Sequence, residues 1–134
     1  MEICAIVANS PGSHRAHVRT GNAETVLDIA AKPAGGSAVN GGELLLLALA
    51  TCYCNDLYRE AARLGLTLDE VHVEARADFD GVGLAASNVR YCATVKSFAS
   101  AADIERLLRE TDAVAEVHNT LRKGVAVERR DSAA

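Results

Sequence analysis

The sequence predicts an α+β domain in which antiparallel sheets pack on one long central helix. Alternating strand-like segments flank a turn in the first thirty residues, a capped apolar helix follows, and a second alternating pair precedes two shorter helical stretches. No repeat or linker divides the chain, so a single domain over 1–134 is expected, with a frayed tail at about 129–134.

Residues 2–8 (EICAIVA) read as a strand ended by the turn formers Asn9, Ser10, Pro11 and Gly12. Residues 14–19 and 24–29 flank Thr20-Gly21-Asn22-Ala23 as a hairpin. Lys32 to Asn40 is a loop by composition, because Pro33 disfavours a regular element and Gly35 and Gly36 tolerate backbone angles other residues avoid.

A helix is expected over 41–64. Asn40 is a good N-cap, Glu43 stands three residues on in a capping-box arrangement, and Gly65 supplies the stop. Its first half, ELLLLALATCYC, is apolar on every face and predicts enclosure by protein. Its second half, NDLYREAARLG, is amphipathic and predicts a helix emerging towards solvent.

Residues 70–79 and 88–96 alternate, with Val71, Val73, Ala75 and Val89, Tyr91, Ala93, Val95 on the apolar faces, as in a half-buried antiparallel hairpin. Ser100 caps a helix over 101–111 whose stripe is Ile104, Leu107 and Leu108. A short helix near 114–122 stops at Gly124, and residues 125–128 read as a last strand.

Apolar residues make up 49% of the chain but aromatics only 4%, with no Trp, so the core must be aliphatic. Such a core is too small to surround an all-round apolar helix alone, which predicts a homodimer whose central helices share one interior. A net charge of −4 with scattered Lys and Arg argues against a nucleic-acid or anionic-membrane surface. The longest apolar stretch, Leu44 to Cys54, falls short of the roughly 20 residues a membrane span needs, and residues 1–10 do not read as a secretory signal. A cytoplasmic location is expected. There, Cys4, Cys52, Cys54 and Cys92 remain thiols, and their spacing matches no zinc site. No cofactor and no metal are expected.

Three segments in order, GGSAVNGGELLLLALATCYCNDL (35–57), GLTLDEVHVEARADFD (65–80) and DAVAEVHNTLRKGVAVE (112–128), resemble the OsmC/Ohr (osmotically inducible, organic hydroperoxide resistance) family. The resemblance covers essentially the whole chain. It implies an OsmC-like fold in which two chains intertwine about their central helices, with active sites at the dimer interface. It also implies thiol-dependent reduction of organic hydroperoxides, with a thiol or dithiol as external reductant. In the family a peroxidatic Cys attacks the peroxide, a second Cys resolves the sulfenic acid, and an Arg and a Glu assist. Cys52 falls on the peroxidatic position. Ala115 stands where the second Cys belongs. The family's Asn-Pro-Glu aligns with Asn40-Gly41-Gly42, which leaves Glu43 one place beyond the Glu position. Arg15, then Arg19, are the nearest candidates for the Arg.

Peroxide reduction requires a thiolate. Cys52 lies about three turns into the helix, beyond the reach of the macrodipole, so a nearby cation is expected. His118, one helical turn after Ala115, is the candidate proton acceptor, with a surface histidine as the alternative. Cys54 cannot pair with Cys52, because residues two apart on a helix point to different sides, and it reads as a core residue. Cys4 and Cys92 read as structural. Tyr53 and Tyr58 read as packing residues with solvated hydroxyls. His14 and His17 do not form a metal pair, since three apart on a strand they face opposite sides.

The site residues expected are therefore Cys52 with Arg15, Glu43 and His118. The expected function is a one-Cys thiol peroxidase. The alternatives are a catalytically degenerate dimer that binds an apolar small molecule and, more remotely, acyl or hydrolytic chemistry through Cys52.

Overall fold

Two compact units follow one another along the chain, Met1–Leu44 and Leu45–Ala134. The computed structural model describes residues 1–131.

The first unit holds a three-stranded antiparallel sheet of β1 (Ile3–Ser10), β2 (Ser13–Thr20) and β3 (Ala23–Leu27), in that order. β1 runs further than the turn formers suggested. Only Pro11 and Gly12 separate the strands, with Gly12 at φ 78°, so Asn9 and Ser10 still pair with His14 and Ser13. Asn9 also organises the glycine loop. Its side-chain amide donates to the Gly36 carbonyl at 3.0 Å, and its Oδ1 accepts from the Gly36 N–H at 2.8 Å. Gly35 and Gly36 sit at φ 103° and 94°, which suits their lack of a β-carbon.

α1 spans Gly41–Leu64 as expected, its start set by a side-chain cap and its end by a backbone turn. Asn40 Oδ1 accepts from the Glu43 N–H at 2.8 Å, while the Asn40 amide donates to Glu43 Oε1 at 2.9 Å. At the other end Gly65, at φ 72°, closes a Schellman turn. Its N–H donates to the Ala62 carbonyl, and that of Leu66 to the Ala61 carbonyl.

In the second unit, β4 (Glu70–Asp78) and β5 (Ser87–Lys96) form a two-stranded antiparallel sheet. Its register sets Val71 opposite Val95, Val73 opposite Ala93 and Ala75 opposite Tyr91, so one face is apolar. α2 (Ala101–Val114) is capped by Ser100, whose Oγ accepts from the Asp103 N–H at 3.1 Å. α3 (Glu116–Lys123) follows after the single residue Ala115 and ends at Gly124 in the left-handed conformation. The helices meet over the apolar sheet face. Tyr53, Leu57 and Ala61 of α1, Leu107 of α2 and Ala115 form the buried cluster, with Val71, Val73, Tyr91, Ala93 and Val95 packed against it. The Tyr53 hydroxyl is not solvated; it donates to the Leu108 carbonyl at 2.7 Å.

Within the single chain, burial on α1 lies mainly in its second half. The buried residues Leu49, Tyr53, Leu57 and Ala61, each four apart, make one stripe down the helix, and Asp56 and Glu60 beside them are buried too. Leu47, in the all-apolar half, is 59% exposed. The reason is where partners lie: the core cluster begins at Tyr53, and the acids are covered by ion pairs rather than left in water.

Residues 125–128 carry no strand, because no edge within the described residues pairs with them, and Val127 is fully open at 98% exposure. Of the tail expected to fray, residues 129–131 have no regular structure and 132–134 lie outside the described residues.

Candidate functional site around Cys52

Cys52 is half-buried on α1, on the side next to the core stripe. Residues four apart on a helix stack on one face, so Asp56 sits one turn beyond it. Sγ lies 3.7 Å from Asp56 Oδ2 and 3.8 Å from Glu116 Oε2, and its single proton can go to either. Glu116 reaches the sulfur because it opens α3, directly after the buried Ala115.

One cation organises the two acids. Arg59 Nη1 is 2.9 Å from Asp56 Oδ1 and 3.6 Å from Glu116 Oε1, while its Nε is 3.7 Å from Glu60 Oε1. The chain of charge continues from Glu60 to Arg63, then to Glu110 and on to Arg106 at 3.0 Å. Arg59 holds the carboxylates rather than the sulfur. No cation makes a hydrogen bond to Sγ among the described residues.

The electrostatics follow. Burial pushes the Cys52 thiol above its ordinary range and the charges of Asp56 and Glu116 add to the rise, while the Val117 backbone N–H in the first turn of α3 pulls the other way. Asp56 is also pushed up, by burial first and then by Glu116, with Arg59 opposing. Glu116 is pulled down, chiefly by its own backbone N–H at the helix start. The two acids are thereby split: Glu116 keeps its charge and Asp56 more readily accepts a proton.

Cys52, Asp56 and Glu116 are also ligand types for a cation, with donor atoms all within 4.8 Å of one another. The Arg59 guanidinium already pairs with both carboxylates there, so a second cation would compete with it for them.

Of the other expected site residues, only His118 belongs to the same unit as this cluster. Glu43 is engaged as the capping acid at the start of α1. Arg15 is exposed on β2 of the first unit, as is Arg19. His118 is 3% exposed rather than on the surface, and it packs on Tyr53 and Tyr91 with ring centroids 5.7 and 4.5 Å away. Neither of its ring nitrogens has a hydrogen-bond partner among the described residues, so it does not take the sulfur's proton in this arrangement. Burial, then the charge of Arg122, lowers its pKa and keeps the ring neutral. Cys54 and Cys4 are half-buried, and Cys92, expected to be structural, is exposed on β5.

Asp56, Arg59 and Glu116 were not singled out from the sequence. Their available signal was the spacing Cys52-x3-Asp56-x2-Arg59, hidden inside a stretch that reads as an ordinary charged helix face.

A protein-family model described as "OsmC-like protein" matches residues 34–130. No curated protein matches the chain. Among solved structures, an OsmC-like hydroperoxide resistance protein from Jannaschia sp. CCS1 superposes with a TM-score of 0.60 at 15% identity, covering 98% of this chain and 91% of that one. An OsmC-like protein from Mycoplasma pneumoniae gives 0.61 at 16% identity, covering 91% and 89%. An OsmC-like protein of unknown function from Vibrio cholerae gives 0.56 at 14% identity, covering 90% and 93%. At these identities the likeness is one of fold.

Proposed function

The chain belongs to the OsmC-like protein family, and from that premise we propose that it is a one-Cys thiol peroxidase acting on organic hydroperoxides through Cys52, with a role in oxidative-stress defence. The observation that carries this reading is the Cys52–Asp56 pair, a half-buried thiol one turn from a carboxyl whose proton affinity is raised.

The Sγ proton passes to Asp56. The thiolate sulfur attacks one peroxide oxygen, the O–O bond breaks, and sulfur is oxidised to the sulfenic acid. The leaving alkoxide takes the proton from Asp56 and departs as the alcohol. With Ala115 at the family's second-Cys position, an external thiol condenses with the sulfenic acid, releasing water. A second thiol group then displaces the first and restores Cys52. Arg59 is a positioning residue in this scheme, holding Asp56 and Glu116 in place.

The same proposal includes a homodimer in the cytoplasm, with a hydroperoxide and a thiol or dithiol as its small-molecule partners. In support, Leu47 of α1 is largely exposed and so are Val125 and Val127, surface that a second copy would cover. No helix among the described residues is long and apolar enough to cross a membrane, and all four cysteines are free.

The test is consumption of cumene hydroperoxide with dihydrolipoamide as reductant. Wild type should turn over and Cys52→Ser should not. Equal rates for the two would overturn the peroxidase and leave the non-catalytic, ligand-binding reading. Sedimentation should give a dimer; a monomer would remove that part of the proposal.

A further inference from the structure

Among the described residues, one group of three metal-ligating side chains has its donor atoms all within 4.8 Å of one another: Cys52, Asp56 and Glu116. The helix itself places two of them. Residues four apart lie on one face, so Cys52 and Asp56 are spaced as a chelating pair on α1, and Glu116 completes the set from the start of α3.

The distances fit a small tetrahedral ion. With metal–sulfur and metal–oxygen bonds of about 2.3 and 2.0 Å, ligand atoms at a tetrahedral angle stand roughly 3.5 Å apart. Sγ is 3.7 Å from Asp56 Oδ2 and 3.8 Å from Glu116 Oε2, so small side-chain movements close the set on an ion. Glu116 is exposed, which gives an ion a way in, and three protein donors leave a fourth position for water.

Charge points the same way. Arg59 Nη1 stands against Asp56 Oδ1 and Glu116 Oε1, so it shares the two carboxylates without occupying the oxygens nearest the sulfur. Glu60, also beside Arg59, has Arg63 as its own partner. Two carboxylates and a thiolate carry three negative charges, and Arg59 offsets one. A divalent cation offsets the other two. The thiolate then selects the ion, since zinc-like ions accept sulfur whereas magnesium and calcium are held by oxygen.

We propose that Cys52, Asp56 and Glu116 form a binding site for a thiophilic divalent cation of the zinc class, which holds Cys52 unreactive while it is bound. Binding replaces the Sγ proton, which leaves to solvent as the metal–sulfur bond forms, and nothing is oxidised or reduced. The binding stands on the three donors alone. Its consequence, that the ion gates turnover, rests on the peroxidase reading.

Cobalt(II) is the probe, because a cobalt–thiolate bond gives a near-ultraviolet charge-transfer band that carboxylates alone do not. Titrated into the reduced full chain, it should raise this band to saturation. Zinc should abolish the band and millimolar magnesium should not. Cys52→Ser should lose the band and Cys54→Ser should keep it. Glu116→Gln, an exposed change that spares the core, should weaken binding at least about tenfold, since even outer-shell partners of a metal are worth that much. Bound zinc should slow alkylation of Cys52 by iodoacetamide by about tenfold or more. The proposal is overturned if wild type gives no band, if the band survives Cys52→Ser or needs Cys54, if magnesium displaces the ion, or if Glu116→Gln binds unchanged. None of these measurements uses peroxide. A protein that binds the ion but consumes no hydroperoxide sinks the peroxidase and keeps the site. Undiminished turnover with zinc bound would overturn the gating.

Discussion

Cys52 Sγ and Asp56 Oδ2 stand 3.7 Å apart, so the sulfur faces a built-in proton acceptor one turn along its own helix. The same carboxylate that could receive its proton also opposes the thiolate by its charge. Asp56→Asn should therefore move two measurements in opposite directions. Alkylation of Cys52 by iodoacetamide at pH 7 should speed up roughly three- to tenfold as a negative neighbour is lost. Peroxide turnover should fall about ten- to a hundredfold as the proton carrier is lost. In wild type, alkylation should keep rising beyond pH 9, because the thiol's folded-state value lies above its ordinary 9.0. A plateau near pH 7 would contradict the arrangement.

Asp112 makes the corresponding case for stability. Arg122 and then the Tyr91 hydroxyl hold its pKa down. A depressed acid stabilises the fold above its unfolded value, near 3.8, and loses that contribution as pH falls through its folded one. Its side chain is 40% exposed, so solvent screening keeps the effect to about 1 kcal/mol. Urea unfolding of Asp112→Asn should show that loss at pH 7. The gap from wild type should close as the pH drops well below 3.8.

Tyr53→Phe should cost about 1–2 kcal/mol, because it leaves the Leu108 carbonyl without the hydroxyl that donates to it at 2.7 Å. Thermal melts should fall by several degrees, with the secondary structure intact. An unchanged melting temperature would mean that water replaces the bond without loss.

Ala115→Cys tests the missing partner. Ala115 is fully buried in the cluster against which Cys52 packs, and its neighbour Glu116 touches the sulfur. One equivalent of hydroperoxide should then produce a disulfide between Cys52 and the introduced thiol, seen as the loss of two free thiols. Turnover with a dithiol reductant should rise. Persistence of both thiols after oxidation would show that the geometry does not allow the bond.

Much of the scaffold was legible because its signals are local. Asn40, Glu43 and Gly65 bound α1 through contacts within a few residues, and Ser100 does the same for α2. Alternation in 70–79 and 88–96 likewise placed the sheet, whose strands run Glu70–Asp78 and Ser87–Lys96. The site was less legible because it is assembled across distance. Glu116 reaches Cys52 from 64 residues away, and the buried Asp56 and Glu60 are paired with Arg59 and Arg63. Nothing in the spacing of NDLYREAARLG says whether those charges meet water or one another. For residues 125–128 the pattern was strand-like, but a strand also needs a free edge to join, which its own sequence cannot specify.

The rows Leu49–Tyr53–Leu57–Ala61 and Cys52–Asp56–Glu60 run side by side down α1, one residue out of phase. The helix cannot roll to suit one row without displacing the other. Oxygen added to the sulfur must therefore press on the packing of the core, and a repacked core must re-aim the sulfur. The melting temperature of this protein should thus serve as a gauge of its redox history. Variants with altered chemistry should also turn up at Leu57 and Ala61, members of the buried cluster against which Cys52 packs.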